Sequence, residues 1–353
     1  MRRSSSFVSR HSVFASRIAA GAALFMVLGM AALSAARKLR VVRSSASGTF
    51  ARPPLPSEAV LVISPHAGRS RKLARARRAL DKHRILVAEE LEIKHVDRLP
   101  ELLRAPSGEP RLVIAAGGDG TVGSVAGFLA GADNALGILP LGTGNDFARS
   151  LDIPLNARRA ARVLVNGEIS SVDLGRLTRP SQPLAYFAHA ATVGLNVNFA
   201  KLATRASVRG RLGRLTYLAA AVYALRERAT FTCTLQHDGV MDELSLLQLS
   251  VISAPVVGGA LGLTVRGPHP AEHRLDVLAV EDVPPPKMLR AGLFLLLGIN
   301  RRVTGVHALQ VERLGVESPN PLGLSLDGEL DGDLPGQFEV VAGGLRVIVP
   351  SRS

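Results

Sequence analysis

The chain has 353 residues, long enough for two domains with hydrophobic cores, and its 47% apolar and 20% charged content is typical of a globular protein. Its net charge of +14 is uneven: residues 1–52 contain nine lysines and arginines and no acid, which leaves +5 for the remaining 301 residues. Binding to nucleic acid is not expected, because only 4% of the residues are aromatic and tryptophan is absent. The single cysteine, Cys233, excludes internal disulfides and Cys-rich metal sites, and its strand-like run (230–236) predicts an ordinary buried thiol.

The N-terminal segment, residues 1–57, is predicted to be separate from the folded body. Residues 18–36 contain no charge, and as a helix they would span roughly 28 Å, close to the hydrocarbon thickness of a bilayer. This predicts an apolar helix that anchors the chain in a membrane. A cleaved secretory signal is the alternative, since a basic start and the small residues "LSAA" also fit that pattern. Residues 44–57 are rich in Ser, Gly and Pro and predict a linker.

Residues 58–166 are predicted to form an α/β domain with an open sheet. Three apolar runs predict buried strands, namely "AVLVIS" (59–64), "RLVIAA" (111–116) and "ALGILP" (135–140). The first run is followed by helical periodicity over residues 70–84, and the other two are followed by glycine-rich turns. Strands that alternate with helices and end in such turns indicate a ligand at the carboxyl edge of the sheet.

The helix predicted over residues 70–84 has a basic face opposite an apolar one. The cations on the basic face are Arg71, Arg75, Arg78 and Lys82, and the apolar face holds Leu73, Ala76 and Leu80. The basic face is interpreted in two ways, as a solvated surface or as a surface that docks on anionic lipid.

Residues 167–353 are predicted to form a β-sandwich domain. Short strand-like runs separated by turn residues continue to the end of the chain, which is the pattern of an antiparallel sandwich or barrel. Helical stretches near residues 211–227 and 287–300 interrupt them. The second stretch is too short for a membrane span and contains Arg290.

The first glycine turn, "AAGGDGTVG" (115–123), admits two interpretations. Gly118, Gly120 and Gly123 satisfy the dinucleotide fingerprint G-x-G-x-x-G, which would indicate a dehydrogenase. That fingerprint also needs an acid at the end of the next strand, and this strand ends in Leu139-Pro140-Leu141. No G-x-x-x-x-G-K-[ST] sequence is present either, which excludes an ordinary P-loop.

A nucleotide triphosphate is the better ligand for this turn. Gly117, Gly118 and Gly120 allow the backbone to approach phosphates closely, and the following helix presents unpaired N–H groups. Asp119 can then hold Mg²⁺ against the phosphates, since magnesium prefers one or two carboxylates with phosphate oxygens and water. The alternative role of Asp119 is to cap the following helix.

The second glycine turn repeats this chemistry at the neighbouring strand edge. It comprises Gly142, Thr143, Gly144, Asn145 and Asp146. These residues supply a hydroxyl group, an amide and a second carboxylate that could hold the metal ion, although one of the polar side chains is expected to cap the helix that follows.

The paired sequences "GGDGT" (117–121) and "PLGTGNDFAR" (140–149) resemble the catalytic domain of the diacylglycerol kinase family. This family includes bacterial lipid kinases and, more distantly, sphingosine and ceramide kinases. The resemblance extends over residues 58–350, with further matches in "VDLG" (172–175), "GRLTYLAAAVYAL" (213–225), "LDVLAVED" (275–282) and "LDGEL" (326–330). It implies ATP-dependent transfer of the γ-phosphoryl group to a lipid hydroxyl, with diacylglycerol as the expected acceptor and phosphatidic acid as the product. It also implies that residues 58–166 form an ATP-binding α/β domain with an open sheet like that of NAD kinase, and that the β-sandwich of residues 167–353 binds the lipid.

The resemblance also implies roles for individual residues. Asp327 matches the family's general base, and Glu329 is a second carboxylate that orients it or raises its basicity. "Asp-Gly" between apolar runs is equally the signal of a hairpin turn, which is the alternative for Asp327. Asp119 and Asp327 are the expected catalytic residues, and Asp119 and Asp146 the expected metal ligands. The residues expected to bind the nucleotide are Ser64, Gly117, Gly118, Gly120, Thr121, Gly142, Thr143, Gly144, Asn145 and Glu329.

The chain departs from the family pattern at four places. Ser64 replaces the asparagine of the family's Asn-Pro pair. Where the family has "F-x-N", "G-F-D" and "D-G-x-L-D", this chain has "FAH" (187–189), "GLN" (194–196) and "EHRLD" (272–276). The changes at Ser64, His189 and Glu272 leave a catalytically impaired lipid- or nucleotide-binding protein as the alternative to a lipid kinase. A soluble enzyme like NAD kinase, acting through a similar GGDG turn, is a further alternative that "GTGNDFAR" and the apolar N-terminal segment disfavour. The expected cofactors are ATP and Mg²⁺. The expected partners are a lipid and an anionic membrane surface at the cytoplasmic face, with a homodimer left open.

Overall fold

The computed structural model describes residues 58–64, 71–103, 110–142, 144–194, 230–254, 256–257, 263–264, 273–282 and 305–351. The predicted anchor (18–36) and the helical stretches 211–227 and 287–300 lie outside these residues, as do Thr143 and Glu272. Within the described ranges, no helix is long and apolar enough to cross a membrane.

The first part of the body alternates strands and helices, as predicted. Its elements are β1 (Glu58–Ile63), α1 (Arg71–Lys82), β2 (Leu86–Glu92), a 3₁₀ helix (Ile93–Arg98), α2 (Leu99–Leu103), β3 (Leu112–Gly117), α3 (Asp119–Leu129), β4 (Ala135–Pro140), α4 (Asp146–Ser150) and α5 (Ala157–Asn166). Strands β3 and β4 are buried along their whole length, as is β1 after its first residue. Parallel strands covered on both faces need such continuous apolar runs, which is why all three were recognisable.

The second part consists of strands in the described ranges. They are β5 (Glu168–Thr178), β6 (Ala185–Phe187), β7 (Ala190–Gly194), β8 (Phe231–His237), β9 (Val240–Ile252), β10 (Val256–Val257), β11 (Leu263–Thr264), β12 (Leu275–Glu281), β13 (Val306–Val311), β14 (Arg313–Glu317), β15 (Leu322–Leu326), β16 (Glu329–Leu334) and β17 (Gly336–Val349). The β-rich character predicted for this part is confirmed.

The two parts share one hydrogen-bonded sheet of 15 strands. Strands β2, β1, β3 and β4 run parallel in that order. The last strand, β17, pairs in parallel with β4 through residues 346–347 and antiparallel with β14 through residues 336–339. The C-terminal strand therefore joins the α/β part to the β-rich part.

The hydrophobic core forms two clusters. One lies around β1, β3 and β4 and includes Leu345 and Val347 of β17, whereas the other lies among the strands of the β-rich part. Helix α1 buries Leu73, Ala76 and Leu80 in the first cluster, on the face that its periodicity predicts. The domain boundaries placed at residues 57 and 166 stay a prediction.

Candidate functional site

The two glycine turns lie against each other at the carboxyl edge of the sheet. Strands β3 and β4 are parallel neighbours, so their ends are adjacent. The N–H groups of Leu141 and Gly142 donate to the carbonyl oxygen of Gly117, at 2.8 and 3.2 Å. A Cβ atom on Gly142 would lie 2.5 Å from the Cα atom of Gly118, closer than any real contact. These glycines are required for the two turns to touch.

Asp119 connects the starts of two helices. It is the first residue of α3, and its Oδ1 atom accepts a hydrogen bond from the N–H of Phe147 in α4 at 3.1 Å. The residue before α3 is Gly118, and no side chain caps this end of the helix. The cap that was the alternative role for Asp119 is therefore not made to its own helix, and its carboxylate instead holds the second glycine turn beside the first.

Asn145 closes the second glycine turn. Its backbone is in the left-handed region (φ 54°), which asparagine tolerates better than most residues. Its Oδ1 atom accepts from the N–H of Gly142 and its Nδ2 atom donates to the carbonyl of Gly142, both at 3.0 Å. Arg149 adds a bond from Nε to the carbonyl of Gly144 at 3.0 Å. The Asn145 amide shapes the turn, and its contact with a nucleotide stays a prediction.

Asp327 is both a hairpin residue and a residue of this site. It lies with Gly328 between β15 and β16, and both have positive φ, 49° and 91°, as a two-residue Asp-Gly turn requires. Its side chain is buried. The Oδ2 atom accepts from the N–H of Ala188 at 2.8 Å, and Oδ1 accepts from those of His189 and Ala190 at 2.8 and 3.0 Å. The hairpin and the site interpretations are therefore compatible.

Burial raises the pKa of the Asp327 carboxyl group above its usual value of 3.8. The positive charge that His189 can carry and the three backbone N–H donors lower the pKa, but they only partly oppose the effect of burial. A carboxylate with a raised pKa that is held by fixed donors suits a group that must accept a proton.

Helix α3 packs against the Asp327 hairpin through two of its glycines. A Cβ atom on Gly123 would lie 2.1 Å from Oδ2 of Asp327, and one on Gly120 would lie 2.7 Å from Oε1 of Glu329. Residues three apart share one face of a helix, so this face of α3 has no side chains where the two carboxylates lie. The expected role of Gly120 was close approach to phosphate, and the structure adds this second role. Sequence reasoning had placed Gly123 only within a fingerprint.

His189 lies between the second glycine turn and the Asp327 hairpin. Its Nε2 atom is 3.5 Å from Oδ2 of the buried Asp146. Its backbone N–H holds Asp327, and its carbonyl accepts from the N–H of Ser253 at 2.9 Å. Among the described residues, its buried Nδ1 atom has no hydrogen-bond partner. His189 was noted in the sequence only as a departure, because its contact with Asp146 is not local.

The expected metal ligands Asp119 and Asp146 are brought together at the start of α4. Asp146 is the residue before Phe147, to which Asp119 is bonded. Over the part of the chain that the structure describes, no group of three or more His, Cys, Asp or Glu side chains could hold a metal ion. Two carboxylates are nevertheless enough for Mg²⁺ that takes its other ligands from phosphate oxygens and water. Carboxylate donors suit that ion, and the binding of Mg²⁺ by Asp119 and Asp146 stays a prediction.

The remaining expected residues lie at the same edge of the sheet. The N–H of Ser64, which follows β1, donates to the carbonyl of Ala116 at 3.4 Å. Thr121 is buried, and a Cβ atom on Gly117 would lie 2.2 Å from its Oγ1 atom. In the departing "D-G-x-L-D" segment, Nδ1 of His273 lies 3.2 Å from both carboxylate oxygens of Asp173. Their contacts with ligands stay predictions.

Two family profiles cover most of the body. Residues 58–177 match the diacylglycerol kinase catalytic domain, and residues 190–349 match the YegS C-terminal NAD kinase beta sandwich-like domain. A diacylglycerol kinase of Mycobacterium tuberculosis (strain ATCC 25618 / H37Rv) is 29% identical over 240 residues, which are 67% of this chain and 76% of that protein. A diacylglycerol kinase of Bacillus subtilis (strain 168) is 28% identical over 242 residues, covering 68% and 78%.

Two further similarities are a shorter sequence match and a solved structure. A probable lipid kinase YegS-like protein of Pectobacterium atrosepticum is 37% identical over 117 residues, 32% of this chain and 38% of that protein. The crystal structure of a diacylglycerol kinase from Bacillus anthracis str. Sterne superposes with a TM-score of 0.59 at 20% identity, covering 83% of this chain and 97% of the other. The shared fold extends over both parts of the body.

Proposed function

The chain belongs to the diacylglycerol kinase catalytic-domain family, as its paired glycine motifs predict, and on that premise we propose that it transfers the γ-phosphoryl group of ATP to the hydroxyl of diacylglycerol. The observation that carries this proposal is the position of Asp327. Its carboxylate lies against Gly123 of the first glycine turn and accepts a hydrogen bond from the backbone N–H of His189. The side chain of His189 also contacts Asp146 of the second glycine turn. A proton acceptor thus lies beside the proposed phosphate-binding turns.

In the proposed reaction the lipid hydroxyl oxygen forms a bond to the γ-phosphorus, and the bond from that phosphorus to the β,γ-bridging oxygen breaks. ADP leaves with that oxygen, and the hydroxyl proton passes to the Asp327 carboxylate. Phosphoryl transfer needs mainly positioning and charge neutralisation from a protein. The three N–H donors at 2.8–3.0 Å fix the orientation of Asp327. The carboxylate of Glu329 lies beside Gly120, against the same face of α3.

Asp119 and Asp146 are the residues proposed to hold Mg²⁺ with the triphosphate. The ion would neutralise the charge that develops on the phosphate oxygens. The chain itself contributes the hydrogen bond from the N–H of Phe147 to Asp119, which holds the two glycine turns beside each other. Gly118 and Gly142 lie in contact where the two glycine turns meet. Because neither has a Cβ atom, the phosphates can approach the backbone there.

The reaction is tested with purified protein, γ-labelled ATP, Mg²⁺, NAD and mixed micelles that contain diacylglycerol, sphingosine or ceramide. We expect label in phosphatidic acid. Label in another lipid would retain the kinase and change its substrate. ATP binding without labelled lipid would favour the catalytically impaired scaffold that the departures at Ser64 and His189 left open, and label on NAD would favour the soluble alternative.

We also propose that the body faces the cytoplasm, where ATP is available, with residues 18–36 as the anchor. Protease added to intact cells should then leave the body undigested, and it should digest the body once the membrane is opened. Digestion in intact cells, or a mature chain that starts near residue 36, would contradict both the placement and the use of cytoplasmic ATP.

A further inference from the structure

Helices α1 and α5 form a basic groove on the surface of the α/β part. Two cavities of about 450 and 360 Å³ lie between these helices, and they are adjacent because Arg75 and Arg158 line both. The cations of this groove are Lys72, Arg75, Arg78, Lys82, Arg158 and Arg162. Of these, the sequence predicts Arg75, Arg78 and Lys82 on the basic face of α1. Residues 158 and 162 come close to α1 only through the fold, and no local pattern shows this.

The spacing of these cations places them on facing sides of the two helices. Arg75, Arg78 and Lys82 are three and four residues apart on α1, and Arg158 and Arg162 are four apart on α5, so each set shares one helix face. All five residues are exposed. Helix α5 has three arginines and no acid in its ten residues.

The groove lacks internal counter-charges. No acidic residue lines either cavity. Among the described residues, none of Arg75, Arg78, Lys82, Arg158 and Arg162 makes an ion pair with an acid, whereas Arg77 on another side of α1 pairs with Glu90 at 2.5 Å. Like charges that face each other repel, so an anion bound between the helices would relieve repulsion that the protein itself leaves in place.

One end of the groove reaches the proposed site. The Nζ atom of Lys72 donates to the carbonyl of Leu141 at 3.3 Å, and Leu141 immediately precedes the second glycine turn. At that end Leu155 lines the groove and is 39% exposed. An exposed leucine beside clustered cations suits a surface that meets both the phosphate groups and the apolar layer of a membrane.

We propose that the α1–α5 groove is the surface through which the body docks on anionic phospholipid headgroups. The proposal deepens the function proposed above and takes from it the choice of a lipid surface as occupant. Nucleic acid is the other polyanion that could neutralise such a groove. The lining residues include no Phe, Tyr or Trp on which bases could stack, which favours the membrane.

The test uses the full-length chain and its sedimentation with vesicles of phosphatidylcholine alone or of phosphatidylcholine with phosphatidic acid, without ATP. The groove variant is Arg75→Gln/Arg78→Gln/Arg158→Gln. At the usual contribution of each cation near an anionic surface, we expect roughly 100-fold weaker partitioning onto the anionic vesicles. Partitioning onto phosphatidylcholine alone should not change, because residues 1–57 are identical in both proteins.

The matched control removes three exposed cations outside the groove, as Lys94→Gln/Arg98→Gln/Arg313→Gln. Lys94 is paired with Glu92 at 2.8 Å and Arg313 with Glu339 at 3.3 Å. This variant should partition within a few-fold of the wild type. Equal losses in the two triple variants would overturn the proposal, because net charge alone would then explain binding.

Two further arms separate this proposal from others. Asp327→Asn should dock like the wild type, so docking with no lipid phosphorylation in any variant would refute the kinase and leave the groove standing. Duplex RNA should compete only weakly with anionic vesicles. If the groove variant instead lost RNA binding and kept vesicle binding, the groove would be a nucleic-acid site and the proposal would be wrong. Thermal melting of each variant checks that the fold is intact.

Discussion

The acidic edge of the sheet and the basic α1–α5 groove are opposite in charge, in burial and in the way their charges are held. At the edge, Asp146 and Asp327 are buried, and Asp327 is fixed by three backbone N–H donors. In the groove, Arg75 and Arg158 are exposed and have no acidic partner among the described residues. A buried charge must be compensated within the fold, whereas an exposed charge is solvated by water and remains available to a ligand.

The largest effect is expected where the buried charge is removed. Asp327→Asn should lower kcat by roughly 10²- to 10⁴-fold, the usual contribution of a general base, with ATP affinity nearly unchanged. Asn tolerates the turn at residue 327, so a cooperative melting transition should remain. A kcat above about a tenth of the wild-type value would contradict the role of base and make Asp119 the better candidate.

The raised pKa of Asp327 predicts how kcat/KM depends on pH. Because burial raises the pKa of Asp327 above 3.8, and the base must be ionised, kcat/KM should fall on acidification with a midpoint above the value of an ordinary aspartate. A pH profile of kcat/KM measures this midpoint. A rate that stays constant down to the ordinary value would show that no group with a raised pKa acts as the base.

A slightly smaller effect is expected from filling the space that α3 leaves for the acid. In Gly123→Ala the new Cβ atom would lie 2.1 Å from Oδ2 of Asp327, so the carboxylate must move. A displacement of about 1 Å costs roughly 10²-fold in rate, and overpacking costs about 1–3 kcal/mol of stability.

Gly127→Ala is the matched control on the same helix. Its Cβ atom would lie 3.9 Å from Tyr186, an ordinary contact, and alanine favours a helix by about 1 kcal/mol over glycine. It should keep full activity and melt at or above the wild-type temperature. If both alanines lowered kcat equally, the packing of α3 on the hairpin would not explain the loss.

Removing the charge nearest the proposed phosphates should have a different signature. Asp119→Asn keeps an oxygen that can accept from Phe147, so the turn contact survives while the negative charge is lost. We expect roughly 10- to 100-fold weaker binding of Mg²⁺ with ATP, and partial recovery of the rate at high Mg²⁺. A rate that does not respond to Mg²⁺ would assign Asp119 to structure alone. Titrations of Mg²⁺ at fixed ATP measure this.

The smallest effect concerns a buried group without compensating donors. Burial alone raises the pKa of the Cys233 thiol to about 11, whereas N–H donors oppose this shift at Asp327. Cys233 is fully buried in β8, as its strand-like run predicts. It should therefore react with thiol reagents only after unfolding, and rapid labelling of the native protein near neutral pH would contradict this burial.

The parts of the fold that could be predicted are those written locally in the chain. The runs that became β1, β3 and β4 are continuously apolar, and Leu73, Ala76 and Leu80 recur at helical spacing. The parallel pairing of β17 with β4 joins residues 135 and 346, a contact that no local pattern encodes. The boundary between the parts was accordingly harder to place than their elements.

The candidate site divides in the same way. The glycine turns and Asp327 were visible as motifs, and the structure brings them together. The space at Gly123, the contact between His189 and Asp146 and the facing of Arg158 towards α1 all join distant segments. Their only trace in the sequence was a glycine three residues after Gly120 and a departure at residue 189.

If the first glycine motif and Asp327 act as one unit, a double-mutant cycle on kcat should show it. If Gly123→Ala acts only by displacing the Asp327 carboxylate, adding it to Asp327→Asn should lower kcat no further, so the double variant should match Asp327→Asn alone. If the two losses instead multiply, Gly123 acts independently of Asp327, and the packing of α3 on the hairpin is not what positions the base.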